Sequence, residues 1–185
     1  MNKYKYVVGF VSIITATVLI LISFGQPLIA ASGKVYLWSF AIGGPDTSQH
    51  ISDWYSFSHF IHGIIFFIIL SYLFKKMPLG SKFLIATIVE AGWEILENTP
   101  MIIDRYRQGA LAAGYFGDSV LNSFCDILFM CLGFIFIQKF GWKISLVVLV
   151  FFELLVLYFI RDNLTLNIIM LLYPFESISA WQTAV

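Results

Sequence analysis

Long apolar stretches, each of about 20 residues, occupy most of this chain and limit what it can fold into. Inside a bilayer no water satisfies free backbone groups, so a segment of this length crosses as an α-helix. The predicted spans are residues 6–28, 56–74, 83–99, 119–137 and 144–160. A shorter apolar segment, residues 164–173, predicts an interfacial or re-entrant helix. The sequence therefore predicts an all-α, polytopic membrane helix bundle with five transmembrane helices.

The composition supports a membrane protein and argues against a nucleic-acid partner. Hydrophobic residues make up 59% of the chain and charged residues 12%, with a mean hydropathy of +0.86. A soluble domain carries charge on about 25% of its residues. The formal net charge is zero, so there is no basic excess to attract phosphates. With no repeat and no soluble segment in view, we expect a single integral membrane domain over residues 1–185.

Basic residues predict the orientation of the bundle. The first apolar run is longer than the core of a signal peptide, so we expect it to be retained as a span. On the side of the membrane where the N-terminus lies we count seven basic residues, Lys3, Lys5, Lys75, Lys76, Lys82, Lys139 and Lys143. The other side has four, Lys34, Arg105, Arg107 and Arg161. The positive-inside rule then places the N-terminus in the cytoplasm of a bacterium, with the protein in the inner membrane.

Ionisable side chains collect near the predicted outer ends of the second and third spans. Such groups are costly in hydrocarbon, about 2.5–3.5 kcal/mol each on insertion scales, and they usually mark a protein-lined cavity. His59 and His62 are spaced to project from similar faces of the second span. They suit metal binding or proton transfer, or else they are core histidines bonded to carboxylates.

The third span carries a stripe of acids. Glu90, Glu94 and Glu97 follow an i, i+4, i+7 spacing, and three carboxylates on one buried face cannot all be ionised without cations. At least one is expected to be protonated or to bind a positive group, as in a general acid or a metal ligand. A structural alternative pairs Glu97 with Arg105 or Arg107.

The fourth span repeats this pattern with Asp118, Asn122 and Asp126. Asp118 fits a helix cap or a first-turn acid, which needs no catalytic role. Asp126 lies about 12 Å further along the helix, well inside the membrane, where capping does not account for it.

The arginines flank Tyr106, and in an extended segment Arg105 and Arg107 would point the same way. Their guanidinium groups suit a phosphate or carboxylate, such as an anionic lipid headgroup. The alternative is pairing with Asp104, Glu97 or Asp118.

These runs resemble a family of uncharacterised, multi-pass inner-membrane proteins of bacteria, mainly proteobacteria. The resemblance extends from about residue 45 to residue 181 and is carried by 52–63, 90–100, 104–107, 115–126 and 160–167. The resemblance implies a membrane location and no activity. A looser likeness is to VanZ-type membrane proteins, where a histidine helix precedes a glutamate helix and an aspartate/asparagine helix. His59 or His62, then Glu94, then Asp118, Asn122 or Asp126 would fill those positions.

The leading hypothesis from the sequence is a membrane-embedded hydrolase or transferase that acts on a lipid or lipid-linked substrate at the outer leaflet. The predicted catalytic residues are His59, His62, Glu94, Asp126, Glu97 and Asn122. The predicted substrate-binding residues are Arg105, Arg107 and Asp118, and a divalent metal would be bound by His59, His62, Glu94 and Asp126. Two alternatives stay open, namely a carrier of protons, metal or a small solute, and a non-catalytic assembly protein.

Overall fold

The computed structural model describes residues 4–109 and 111–183, and those residues form seven α-helices and no strand. They are α1 (Tyr4–Ser23), α2 (Ser56–Leu73), α3 (Leu79–Glu97), α4 (Pro100–Arg107), α5 (Val120–Ile160), α6 (Leu164–Leu172) and α7 (Glu176–Thr183). The predicted all-α class is confirmed. Between α1 and α2 the chain runs without a helix through residues 24–55.

Three helices of the described residues, α1, α2 and α5, are long and apolar enough to cross a membrane. The apolar helices mark the chain as a membrane protein. Helix α3 has a suitable length but carries four charged side chains, Lys82, Glu90, Glu94 and Glu97. The number of crossings therefore stays a prediction.

Helix α5 reverses direction at Gly141. This residue has φ 78° and ψ 170°, a backbone conformation that essentially only glycine adopts. The ring of Phe60 lies 5.5 Å from the rings of both Phe136 and Phe152. In a straight helix those two residues would be separated by about 24 Å along the axis. The chain therefore folds back, which gives α5 a first half and a second half, residues 120–140 and 142–160.

Glycines let α2 and α5 approach each other closely. A Cβ atom built on Gly63 would lie 2.0 Å from the carbonyl oxygen of Met130, and one built on Gly133 would lie 1.9 Å from that of Phe60. Neither position has space for a side chain. Next to this crossing the core contains Phe134, with Ile127 and the other buried apolar residues of α3 and α5.

The helix ends assemble the polar residues at one end of the bundle. Tyr6 of α1 contacts Gly80 at the start of α3, so these two helices start at the same end. After α1, the carbonyl of Pro27 accepts a hydrogen bond from the backbone of Val120 at the start of α5. The start of α5 thus lies at the opposite end from the start of α1, next to the first turns of α2 and the last turns of α3.

Residues 100–107 form helix α4, not the extended segment in which Arg105 and Arg107 would point the same way. Pro100 occupies the first helical turn, where its missing N–H costs no hydrogen bond. In a helix, side chains two positions apart diverge. Arg105 donates to the carbonyls of two residues at the end of α6, 2.8 and 2.9 Å away, whereas Arg107 donates to the carbonyl of Tyr115 at 2.6 Å. The prediction that both arginines point the same way is wrong.

Two side chains fix the start of α6. The Asn163 side chain accepts a hydrogen bond from the backbone of Leu166 and so caps the N-terminus of α6. Glu153 accepts hydrogen bonds from the backbone of Leu164 at 3.0 Å and from the hydroxyl of Thr165 at 2.5 Å. Glu153 is therefore a structural residue that joins the second half of α5 to α6. Whether α6 re-enters the membrane or lies at its surface stays a prediction.

Candidate active site

His59 is the side chain around which three carboxylates meet. Its Nδ1 lies 2.6 Å from Glu90 Oε1 and 3.3 Å from Glu94 Oε1, and its Nε2 lies 3.8 Å from Asp126 Oδ2. All four side chains are buried. The structure thus brings three of the predicted site residues, His59, Glu94 and Asp126, together from α2, α3 and α5.

His62 belongs to the same group but contacts only one of its acids. Its Nδ1 lies 3.1 Å from each carboxylate oxygen of Glu90. Glu90 therefore binds both histidines, although it is absent from the predicted site residues. The signal that points to it is its i, i+4 spacing to Glu94, which puts both acids on one face of α3.

Glu94 is buried with no hydrogen-bond partner on its carboxylate. Its side chain is 0% exposed, and neither Oε1 nor Oε2 makes a hydrogen bond among the described residues. The contact of 3.3 Å with His59 is close enough for an ion pair but lacks hydrogen-bond geometry. A buried carboxylate without compensation is unfavourable by several kcal/mol, so Glu94 must be protonated or bind a cation.

A cavity of about 70 Å³ opens onto this group. Its lining includes His59, Glu97, Arg105, Tyr106, Asp118 and Asp126. The volume is enough for several water molecules or for an ion with a small polar group. In the described part of the chain, His62, Glu90 and Glu94 do not line this cavity, so His59 and Asp126 are the members of the group that reach it.

Asp118 contacts the cavity but does not cap α5. Ser119 is the N-cap, since its hydroxyl accepts a hydrogen bond from the backbone of Asn122 at 3.1 Å, so the predicted capping role of Asp118 is wrong. Asp118 accepts hydrogen bonds from the Tyr115 hydroxyl at 2.9 Å and from Asn98 at 3.2 Å. Burial raises the pKa of Asp118 to about 6, against the opposing effect of the Tyr115 hydrogen bond.

Asn122 holds the loop between α1 and α2. Its side-chain NH₂ donates to the carbonyl of His50 at 2.9 Å, and the neighbouring Ser119 hydroxyl donates to the carbonyl of Gln49 at 3.1 Å. These contacts attach residues 24–55 to the start of α5. The structure therefore places Asn122 beside the predicted catalytic group and not within it.

The arginines divide between two roles. Arg105 lines the cavity, while Arg107 lies 3.5 Å from Asp104 in an exposed ion pair of the kind that contributes little to stability. Within residues 4–109 and 111–183, Glu97 makes no ion pair with either arginine. Arg105 thus lies in the cavity lining and Arg107 beside it, and binding of an anionic substrate by the two arginines stays a prediction.

Four residues of the site escaped prediction: Tyr55, Ser56, Tyr106 and Tyr115. The Ser56 hydroxyl lies 3.1 Å from Asp126 Oδ1, and the three tyrosines line the cavity. Tyrosine and serine are uncharged and common in spans, so no periodic pattern in the sequence distinguishes them.

Asp162 gives the fold a measurable pH dependence. Burial raises its pKa from 3.8 to about 6, with hydrogen bonds from Asn163 and Tyr55 opposing the shift and Glu153 adding to it. Because the folded protein holds this proton more tightly than the unfolded chain, the contribution of Asp162 to stability is fully present below about pH 4 and is lost as the pH rises through 6. Two units correspond to roughly 3 kcal/mol.

Asp162→Asn is therefore expected to melt at a higher temperature than the wild type at pH 7.5 and to lose part of the change between pH 5 and pH 7.5. Tryptophan fluorescence during thermal unfolding in detergent measures this. Asp104→Asn, at an exposed aspartate, is the matched control and should follow the wild type. Equal pH dependence of the wild type and Asp162→Asn would contradict the assignment.

The fold and the site together define a class, a helical membrane protein with a buried histidine–carboxylate group beside a polar cavity. Comparison with known proteins identifies the family. A family model described as "Protein of unknown function (DUF2585)" matches residues 21–184. The chain belongs to this family, which confirms the predicted resemblance to an uncharacterised family. The match begins near the end of α1, further toward the N-terminus than the resemblance had indicated.

The relatives are bacterial UPF0314 proteins. That of Sphingopyxis alaskensis is 49% identical over 163 residues, covering 88% of this chain and 87% of the relative. UPF0314 protein RL4541 of Rhizobium johnstonii is 46% identical over 161 residues, covering 87% of this chain and 83% of the relative. No solved structure gives a significant match. The looser likeness to VanZ-type proteins stays a prediction.

Proposed function

We propose that this protein is a membrane-embedded hydrolase or transferase that acts on a lipid or lipid-linked substrate at the outer leaflet of the bacterial inner membrane. The observation that carries the proposal is the set of residues that line one cavity. Arg105, His59, Asp126 and Glu97 all line it. A cation that suits an anionic headgroup therefore shares a small polar space with groups that activate a nucleophile.

The chemistry of the site divides among its residues. In a hydrolysis, water attacks the carbonyl carbon or phosphorus of the substrate and gives up a proton, and the departing oxygen receives one. His59, with Asp126 beside it, takes the first proton or binds a cation that lowers the pKa of the water. Glu97, which lines the cavity, supplies the second when it is protonated. Glu90 holds the His59 ring in position through the contact of 2.6 Å.

The distribution of charge supports a multi-pass arrangement with a cytoplasmic N-terminus. Lys75 and Lys76 follow the end of α2, and Lys139 and Lys143 flank the reversal at Gly141. These lysines lie at the end of the bundle opposite to the site. Under the positive-inside rule that end faces the cytoplasm, and the cavity then faces the outer leaflet.

A second candidate function is transport of protons, metal or a small solute. The observation in its favour is a chain of titratable contacts from His62 through Glu90 and His59 to Asp126, with steps of 3.1, 2.6 and 3.8 Å. Such relays occur in pumps and transporters. A purely structural role fits less well, because the members of a structural network hydrogen-bond to one another, whereas the Glu94 carboxylate accepts no hydrogen bond from the described part of the chain.

The experiment is lipid conversion in proteoliposomes made from a bacterial lipid extract, followed by mass spectrometry. Asp126→Asn keeps the size of the side chain and removes its basic oxygen. It is expected to lower conversion by about 10²–10⁴-fold while the protein still elutes as a folded species. Asp104→Asn, the same change at an exposed position, should convert lipid like the wild type.

The same vesicles, loaded with a pH-sensitive dye, test the second candidate. If the wild type moves protons without converting lipid, and Asp126→Asn no longer moves them, the protein is a carrier and not an enzyme. Full lipid conversion by Asp126→Asn would contradict the proposed site.

A further inference from the structure

Two sets of side chains at His59 have the spacing of cation ligands. In each set, one nitrogen or oxygen atom from every member lies within 4.8 Å of the others. The first set is His59, His62 and Glu90, and the second is His59, Glu94 and Glu97. Ligands bound at about 2.0–2.6 Å from one ion are at most about 5 Å apart, so both sets are close enough.

The first set needs no ion. Glu90 Oε1 lies 2.6 Å from His59 Nδ1, and both Glu90 oxygens lie 3.1 Å from His62 Nδ1. These distances are those of direct hydrogen bonds, and a carboxylate shared by two imidazoles is already compensated. No buried atom of His62 or Glu90 is left without a partner.

The second set contains a buried carboxylate without a hydrogen-bond partner among the described residues. Both oxygens of Glu94 are buried without a hydrogen bond to the described residues, and Oε1 lies 3.3 Å from His59 Nδ1. Glu97 and Asp126 add two further carboxylates at the cavity, where the only histidine is His59 among the described lining residues. Several acids therefore face one imidazole. A bound cation would compensate the negative charge of these acids and be coordinated by the unpartnered oxygens of Glu94.

We infer that His59, Glu94 and Glu97 bind a divalent transition-metal ion, with Asp126 as a further ligand from α5. Nε2 of His59 binds the ion, while Nδ1 keeps its hydrogen bond to Glu90. That arrangement of carboxylate, histidine and metal is the usual way in which a protein orients a ligating imidazole. The cavity beside the ion has room for water, which leaves a coordination position open to a reacting group.

The donor set selects the kind of metal. Calcium and magnesium prefer oxygen ligands alone, whereas an imidazole with two or three carboxylates suits zinc, manganese or iron. The inference deepens the proposed function, on which it rests for its catalytic use, because such an ion would generate the nucleophile. Binding of the ion is measured without any substrate.

The test is zinc binding by untagged protein in detergent, stripped with a chelator, and then titrated with Zn²⁺ against a competing indicator dye. We expect one ion per chain. Glu94→Gln should weaken binding by more than about 100-fold, and Glu90→Gln by about 10–100-fold, since Glu90 acts through His59. His62→Gln should weaken it by less than about tenfold. Glu97→Gln, at a partly exposed residue, replaces Glu94→Gln if that variant does not fold.

Each result decides the inference. Failure of the wild type to bind Zn²⁺ or Mn²⁺ would overturn it, and so would undiminished binding by folded Glu94→Gln or Glu97→Gln. Loss of binding in His62→Gln with retention in Glu94→Gln would move the ion to the other set and overturn the assignment made here. Metal binding without lipid conversion would support the metal site and contradict the proposed enzyme activity. Lipid conversion without metal binding would support the enzyme activity and overturn the metal site.

Discussion

Gly133→Ala is expected to separate α2 from α5 and to destabilise the protein by about 3 kcal/mol or more. The added Cβ would lie 1.9 Å from the carbonyl oxygen of Phe60, far inside contact distance. The obstacle is backbone, which cannot rotate away as a side chain does, so the two helices must shift. Overpacking of a core costs about 1–3 kcal/mol even where side chains can adjust.

Gly92→Ala is the matched control. Gly92 also lies in a helix, but no other atom of residues 4–109 and 111–183 lies within 4 Å of its Cβ position, apart from its chain neighbours and its own helix backbone. There the same substitution should leave stability unchanged or raise it by up to about 1 kcal/mol, because alanine favours a helix more than glycine does. Thermal unfolding in detergent compares the two variants. Equal melting temperatures would contradict the close crossing of α2 and α5.

Hydropathy alone predicts the long helices well, because a bilayer leaves few alternatives for an apolar segment. The predicted second span, residues 56–74, differs from α2 by one residue. The shorter helices were harder to predict. Helices α4 and α7 were not predicted, since neither is long enough to show a clear period. Contacts such as that of Arg105 with the end of α6 hold α4 in place, and such contacts are not visible in the sequence.

The sequence predicted those site residues whose ionisable side chains have no capping or loop role to explain them. His59, Glu94 and Asp126 stand out because each is costly in an apolar helix, and the structure brings them together. What the sequence could not supply is the rotation of each helix. The crossing at Gly63 and Gly133 sets how α2 meets α5, and only then is it clear which histidine faces the cavity.

The two histidines, equivalent in the sequence, are expected to differ strongly in function. His59 lines the cavity and lies beside Asp126 and Glu94, whereas His62 contacts Glu90 behind it. His59→Gln removes either the base or a metal ligand. We therefore expect a loss of turnover of about 10²–10⁴-fold. His62→Gln leaves the groups of the cavity in place, so the expected loss is less than about tenfold.

The central claim is that the substrate reacts beside His59, and the rate of lipid conversion in proteoliposomes tests it most directly. Wild type, His59→Gln and His62→Gln are compared at equal amounts of folded protein, by mass spectrometry of the same lipid extract. The account predicts conversion by the wild type, nearly unchanged conversion by His62→Gln, and almost none by His59→Gln. Conversion by His59→Gln at the wild-type rate would contradict it.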